Sequence, residues 1–307
     1  NGIYVTSHFP AISDPQRSIV SSSLEITVPK SNPLVCESSF GQLEVNGVHG
    51  GLRANTNYSD VTLSEVSGEV KLAGKMGRTE LDDVSGPINI QNSLGDIVLS
   101  DCAGSFELAN SYAAIELDDC SGKALIRNSG EVNINGHRGD VSIDNQNGKV
   151  SISDVVGNLS VKNSYKPLSI TNIDGAAKIE NMNSSIDMDD VSGMLTVDSK
   201  FGSISGRYLN GPIVINSDRG DVAVELNQYL SGASQITSTY GMVSLTLSEN
   251  SDVLVTALAD GGVIKSDYGN SVEVGKGSSQ AKISVGSAKI PLEVKGTNST
   301  IVINESD

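Results

Sequence analysis

The sequence predicts an all-β fold: a single-stranded parallel β-solenoid (β-helix) with coils of about 18 residues, for which a right hand is the expectation although the repeat itself does not fix it. Three observations carry this. Glycine recurs at Gly50, Gly68, Gly86, Gly104 and Gly122, then, one residue short, at Gly139, Gly157, Gly175, Gly193 and Gly211. Each unit divides into two nine-residue halves that read roughly Asp/Asn-x-x-Gly-x-Ile-x-Ile-x, as in LDDVSGPINIQNSLGDIVLSDCAGSFELAN from Leu81 to Asn110. Apolar residues alternate with polar ones inside each half, and no window shows a helical period.

Two strand sets follow from the alternation. One carries Val70/Leu72, Ile88/Ile90, Phe106/Leu108, Ala124/Ile126 and their successors to Ile213/Ile215. The other carries Val61/Leu63, Thr79/Leu81, Ile97/Leu99, Ile115/Leu117 and their successors to Val222/Val224, with Thr79 and Gly206 as weak points. A nine-residue half cannot bury its own apolar face. Stacked coils bury it against one another, about 4.8 Å apart. About ten regular coils are expected between Phe40 and Leu226.

The chain is read as one continuous domain, 1–307. Residues 1–38 form a cap and the first strands, with Leu24, Ile26 and Val28 alternating over an exposed edge. Residues 39–226 are the regular coils. Residues 227–307 form longer, irregular coils, with strands at Met242–Leu247, Val253–Ala257 and Val263–Lys265, and the rhythm returning at Ile283, Leu292 and Ile301.

The two turns differ. Asn92, Asn110, Asn128, Asn145, Asn163 and Asn181 share one position, with Thr56, Gly74, Ser199 and Ser217 toward the ends. Alternation from Ile88 and Ile90 points Asn92 inward, where an amide ladder can satisfy turn backbone without charge. The opposite turn carries Glu65, Asp83, Asp101, Asp119, Asp154, Asn172 and Asp190. Carboxylates stacked about 5 Å apart repel by about 3 kcal/mol at an effective dielectric near 20. Each Asp is expected to accept hydrogen bonds from its own turn, as in an Asx-turn. Calcium is the competing reading, but the Gly-Gly-x-Gly-x-Asp turn of calcium-binding repeats is missing, so no metal site and no cofactor is assigned.

Composition narrows the function. Aromatics are 4%, tryptophan is absent, and the net charge of −16 is spread along the sequence. Such a charge disfavours nucleic acid and anionic membranes as partners. No apolar run spans a membrane, and no signal sequence opens the chain; an exported form would have lost its signal. The cysteines Cys36, Cys102 and Cys120 do not make a disulfide framework. Cys102 and Cys120 fill a column otherwise made of Val66, Val84, Val155, Ile173 and Val191, and read as small hydrophobes. His137 occupies the same column, and its irregularity is ascribed to a neighbouring one-residue deletion. No histidine spacing suggests a metal site, and no triad, phosphate loop or nucleotide fingerprint occurs. Regular outward threonine columns, which ice binding would need, are absent too.

One column stands out as a candidate binding ridge: Phe40, Tyr58, Met76, Leu94, Tyr112, Tyr165 and Phe201, interrupted by Asn147, Asn183 and Arg219. Exposed aromatics on a rigid line suit a partner surface. The alternative is that they fold back to cover the coil edge.

The stretches LEITVPKSNPLVCESSFGQLEVNGVHGGL and ITSTYGMVSLTLSENSDVLVTAL, with the repeated Gly-x-Ile-x-Leu halves between them, resemble a family of bacterial β-strand-repeat proteins of unknown function that carry the label adhesin. The resemblance implies a β-solenoid in an extracytoplasmic protein, periplasmic or at the cell surface. It supplies no catalytic motif. The expected function is a non-catalytic cell-envelope scaffold or adhesion module that binds a protein or a glycan. A carbohydrate-active β-helix enzyme is the alternative.

Overall fold

The computed structural model describes residues 24–226, 230–248, 251–268, 272–275 and 277–306. It is a parallel β-solenoid of about 12 turns, with no helix among the described residues. Each coil gives one strand to each of two sheets. The first sheet begins with β1 (Leu34–Ser38) and β3 (Leu52–Thr56) and proceeds through odd-numbered strands to β23 (Ser234–Thr239). The second begins with β2 (Gly41–Asn46) and β4 (Ser59–Ser64) and proceeds through even-numbered strands to β24 (Met242–Leu247).

Pairing is in register, so equivalent side chains stack: Ile88 faces Phe106, Ile90 faces Leu108, and Ile97 faces Ile115. Both strand sets point their apolar residues into one continuous interior. Thr79 is buried with them. At the other weak point, a Cβ on Gly206 would meet Leu209 Cδ1 at 2.9 Å, so the neighbouring leucine fills the space that the glycine leaves. The column of Val66, Val84, Cys102, Cys120, Val155, Ile173 and Val191 is also buried.

The turns explain the glycines. A Cβ on Gly104, at φ 147°, would lie 2.0 Å from the carbonyl oxygen of Gly86 one coil away. No other residue lets the backbones stack so closely.

Three sequence expectations need correction. The missing residue is lost between Asn128 and Val132: Asn128 pairs with Asn145 at one end of its coil, while Val132 stacks on Ile115. It therefore falls in the turn of the ridge column, on the far side of the coil from His137. At the N-terminus, residues 24–29 form no strand, and Leu24 and Ile26 are exposed. Val28 alone of the three packs on the core, and the Lys30 carbonyl accepts the His49 N–H at 2.6 Å. The first 23 residues of the proposed cap lie outside the described residues.

The third correction is at the C-terminus. The expected strands exist as β25 (Val253–Asp260) and β26 (Ile264–Ser266), followed by β27 (Val272–Val274), β28 (Ser278–Ser284), β29 (Ile290–Thr297) and β30 (Thr300–Glu305). They do not stack in chain order. The spatial order is β23-β29-β25-β28-β27 in one sheet and β24-β30-β26 in the other. The last coil is inserted between two earlier ones, and β27 and β28 close the first sheet as antiparallel strands.

Candidate binding groove beside the asparagine turn

The asparagine column points inward, as alternation requires, and is buried. Asn92 Nδ2 donates to the carbonyls of Gly95 (3.0 Å) in its own turn and Gly77 (2.9 Å) one coil earlier, while its Oδ1 accepts the Ser93 N–H (2.9 Å). Asn110 and Asn128 repeat the pattern, each bridging two turns. Asn163 and Asn181 donate to Lys166 and Ser184 three residues on. These amides are spent on turn backbone, and what the turn shows to solvent is the residues around them.

Those residues line a shallow groove. One stretch, a cavity of about 960 Å3, runs from Asn55 to Asn147 and includes Gln91, Ser93, Ser111 and Tyr112. A second, of about 930 Å3, runs from Asp144 to Thr239 and includes Lys162, Tyr165, Glu180 and Lys200. They share Asp144 and Gln146 and so form one channel along the solenoid axis. From the coil of Asn55 to that of Thr237 are ten strand spacings, about 48 Å.

The ridge borders this groove. Phe40, Tyr112 and Tyr165 are 78%, 75% and 60% exposed; Tyr58, Leu94 and Phe201 are about half exposed, and Met76 less so. Part of the column stacks on itself. The Phe40 and Tyr58 rings lie parallel with centroids 5.3 Å apart. The Arg219 guanidinium sits 5.3 Å from the Phe201 ring and 5.8 Å from that of Tyr240. Arg219 therefore joins two rings where the sequence suggested an interruption. Tyr240 went unseen because its coil is longer: Asp218 pairs with Thr239, 21 residues on, so an 18-residue count misses it. The lost residue leaves Gly130 stacked on Ala113, with no counterpart of Tyr112 in that coil. The run Phe40, Tyr58, Met76, Leu94 and Tyr112 is thus one continuous apolar strip.

The opposite turn works differently. Glu65, Asp83, Asp101, Asp119, Asp154, Asn172 and Asp190 all have φ between 49° and 60°. This left-handed conformation suits Asp, Asn and Gly, and Gly47 and Gly136 adopt it at the same place in their coils. Among the described residues, no hydrogen bond from its own turn reaches the carboxylate of Asp83, Asp101 or Asp119, so the Asx-turn expectation is replaced by a backbone one. Tyr208, at φ 52°, continues this column unannounced by the pattern. No group of His, Cys, Asp or Glu among the described residues is arranged to hold a metal ion.

Charge divides by face. Glu80, Asp82, Glu116, Asp118 and Asp187 point outward from the second sheet, next to the acidic turn. The first sheet mixes signs, with Lys71–Glu69, Arg127–Glu107 and Lys162–Glu180 ion pairs. The groove lies along the first sheet, away from the most acidic surface.

Cys102, Cys120 and His137 lie in the core and do not line the groove. Cys102 and Cys120 donate their thiol protons to the Ser100 and Asp118 carbonyls (3.2 and 3.3 Å). The neighbouring Cys120 thiol, and then burial, push the Cys102 thiol up. His137 is fully buried; its Nε2–H donates to the Gly122 carbonyl at 2.7 Å, and its ring meets Phe106 edge-on. Burial pulls its pKa down, outweighing that hydrogen bond, which favours the neutral ring with the proton on Nε2. The groove carboxylate Glu180 is held below its ordinary range by Lys178 and Lys162.

Comparison of the chain with protein-family models, curated proteins and solved structures gives no match.

Proposed function

We propose that the protein is a non-catalytic binding module of the bacterial cell envelope that holds an extended ligand, a glycan strand or a partner protein's chain, along the groove beside the asparagine turn. The observation that carries this reading is the adjacency of two strips on one rigid line: the exposed apolar run from Phe40 to Tyr112, and the amide and hydroxyl edge of Asn55, Gln91, Ser93 and Ser111. Rings supply buried contact area, and amides and hydroxyls supply directional hydrogen bonds. In this half of the groove the charged lining residues are Lys75, Arg127 and Asp144, against a larger mixed set beyond Asp144. An uncharged glycan suits that chemistry better than a polyanion, which the net charge of −16 would repel. The envelope location rests on the family resemblance. The enzyme alternative gains no support from Glu180: glycoside cleavage wants one carboxyl with a raised pKa, and its neighbours lower it.

The test is affinity electrophoresis of the full chain in gels containing a soluble uncharged linear β-glucan, alongside a panel of extended peptides. Tyr58 and Tyr112 stand three coils apart, about 14 Å. The double change Tyr58→Ala with Tyr112→Ala is expected to abolish retention while leaving Tm within a few degrees. The pair Tyr112→Ala with Tyr165→Ala should weaken it too, if the ligand crosses Asp144. Retention that survives both variants would reduce the ridge to packing. Unfolding in either would assign the tyrosines to the core.

A further inference from the structure

The last coil lies inside the stack and not at its end. β29 pairs in parallel with β23 on one side (Ile236 with Val294) and with β25 on the other (Val255 with Leu292). β30 likewise lies between β24 (Leu245 with Ile303) and β26 (Ile264 with Ile301). Leu292, Val294, Ile301 and Ile303 are buried core residues. Everything the coil touches on both sides precedes it in the chain. The outer coil therefore stands two strand spacings from β23 and β24, and the final residues fill the slot between them.

A single short connection, residues 285–289, joins β28 to β29. It is pinned at Asp252: Ser287 donates its backbone N–H and its hydroxyl to the Asp252 carboxylate, and the N–H groups of Lys289 and Ile290 reach the Asp252 carbonyl at 3.1 and 3.2 Å. Within it Ala288 is held at φ 51°. Alanine has no side-chain polar group to favour that conformation, so it is strained there and would relax in an extended chain.

We propose that the slot accepts the last coil of a second copy of this chain, so that two molecules folding together exchange residues 290–305 and form a dimer joined at their C-terminal ends. Every ladder pair and every buried side chain of the coil is the same whether it comes from its own chain or a partner's; the hinge alone differs. Extended, the five hinge residues reach about 17 Å, enough to cross between adjacent molecules. A tether this short gives its own coil an effective concentration on the order of millimolar, so dilute chains close on themselves and concentrated ones exchange. Once seated, the coil is held by ladders on both sides in both sheets. Either form then persists, because leaving requires the whole C-terminal end to open. The dimer would carry two binding grooves on one body, which raises avidity for a repeating ligand.

The experiment refolds the full chain from urea at micromolar and at near-millimolar concentration. Mass is read by size exclusion with light scattering after dilution to a common concentration. Expected is a dimer fraction that rises with refolding concentration and survives days of dilution. Co-refolding of two differently tagged chains should yield the mixed dimer, whereas mixing the folded proteins should not. Ala288→Gly, which removes the hinge strain, should lower the dimer fraction several-fold. Deletion of Gly286 and Ser287 should raise it. Exclusively monomer at the highest concentration would overturn the proposal. So would a dimer that dissociates on dilution or forms from folded proteins, since either marks a surface contact. If the shortened hinge prevents folding, the concentration series and Ala288→Gly decide.

Discussion

The two turns of each coil use nearly the same residue, Asn or Asp, for opposite physical ends. In one turn the side chain is buried, neutral and bonded to the backbone of its own coil and, at Asn92, of the coil before it. In the other it is exposed and makes no such bonds, and what matters is that the residue tolerates a left-handed backbone. A carboxylate in the first turn would sit unpaired against carbonyl oxygens; in the second it is hydrated and costs only repulsion from its neighbours. The difference shows why Asn and Asp do not interchange freely along the repeat. It also bears on function, because the neutral turn borders the groove and the acidic one faces away from it.

The comparison can be broken most forcefully through the glycine that the acidic turn carries in every regular coil, a position that the asparagine turn also fills with Ala113, Lys166 and Ser184. Gly104→Ala would place a Cβ 2.0 Å from the Gly86 carbonyl oxygen in the acidic turn. A loss of about 3 kcal/mol or more in urea unfolding is expected, because neither backbone can withdraw without breaking the stack. A neutral result would mean that the coils are less tightly stacked than described.

A smaller effect belongs to His137, which lines the acidic-turn side of the core. Its folded pKa lies below its unfolded value of about 6.5. The unfolded chain therefore takes up the proton first, and stability falls as pH drops below about 6.5, until the folded state protonates as well. His137→Val should remove that slope between pH 7 and pH 5, with a change at pH 7 of about 1 kcal/mol or less. The cost there is the Gly122 carbonyl losing its donor; the gain is the removal of the unpartnered, buried Nδ1. An unchanged slope would assign the titration elsewhere.

Smallest of all should be the response to calcium. If the acidic turn is a backbone device, millimolar Ca2+ should leave Tm nearly unmoved. A site at Asp83, Asp101 and Asp119 would instead raise it with the logarithm of free calcium, and Asp101→Asn would erase the rise.

Much of this was legible in the sequence, because strand alternation encodes which face a side chain occupies. Ile88, Ile90 and Asn92 are inward for that reason alone. What alternation does not encode is which coil lies next to which. Leu292 and Ile301 carry the ordinary inward pattern, and nothing in it says that their coil sits between β24 and β26. The Asp column was legible as a column but not as a backbone conformation, since an Asx-turn and a left-handed residue ask for the same side chains. Glycine spacing located the lost residue between Gly122 and Gly139, and only the register shows which turn lost it. Of the ridge, the members at regular spacing were visible. Tyr240 was hidden by its longer coil, and the pairing of Arg219 with two rings is a fact of side-chain geometry.

The central claim, that one turn requires a neutral buried amide and the other a left-handed residue of either charge, is tested most directly by a reciprocal exchange. Asn110→Asp and Asp101→Asn would be compared by the midpoint of urea unfolding at pH 7. In the first, Nδ2 donors to Gly95 and Ala114 become an oxygen facing those carbonyls. The expected loss is about 3 to 5 kcal/mol, recovered in part at low pH as the new carboxyl protonates. The second keeps a residue suited to φ 52° and removes a charge from the column, so a change within about 0.5 kcal/mol is expected. Equal losses in the two variants, or a larger one in Asp101→Asn, would contradict the account.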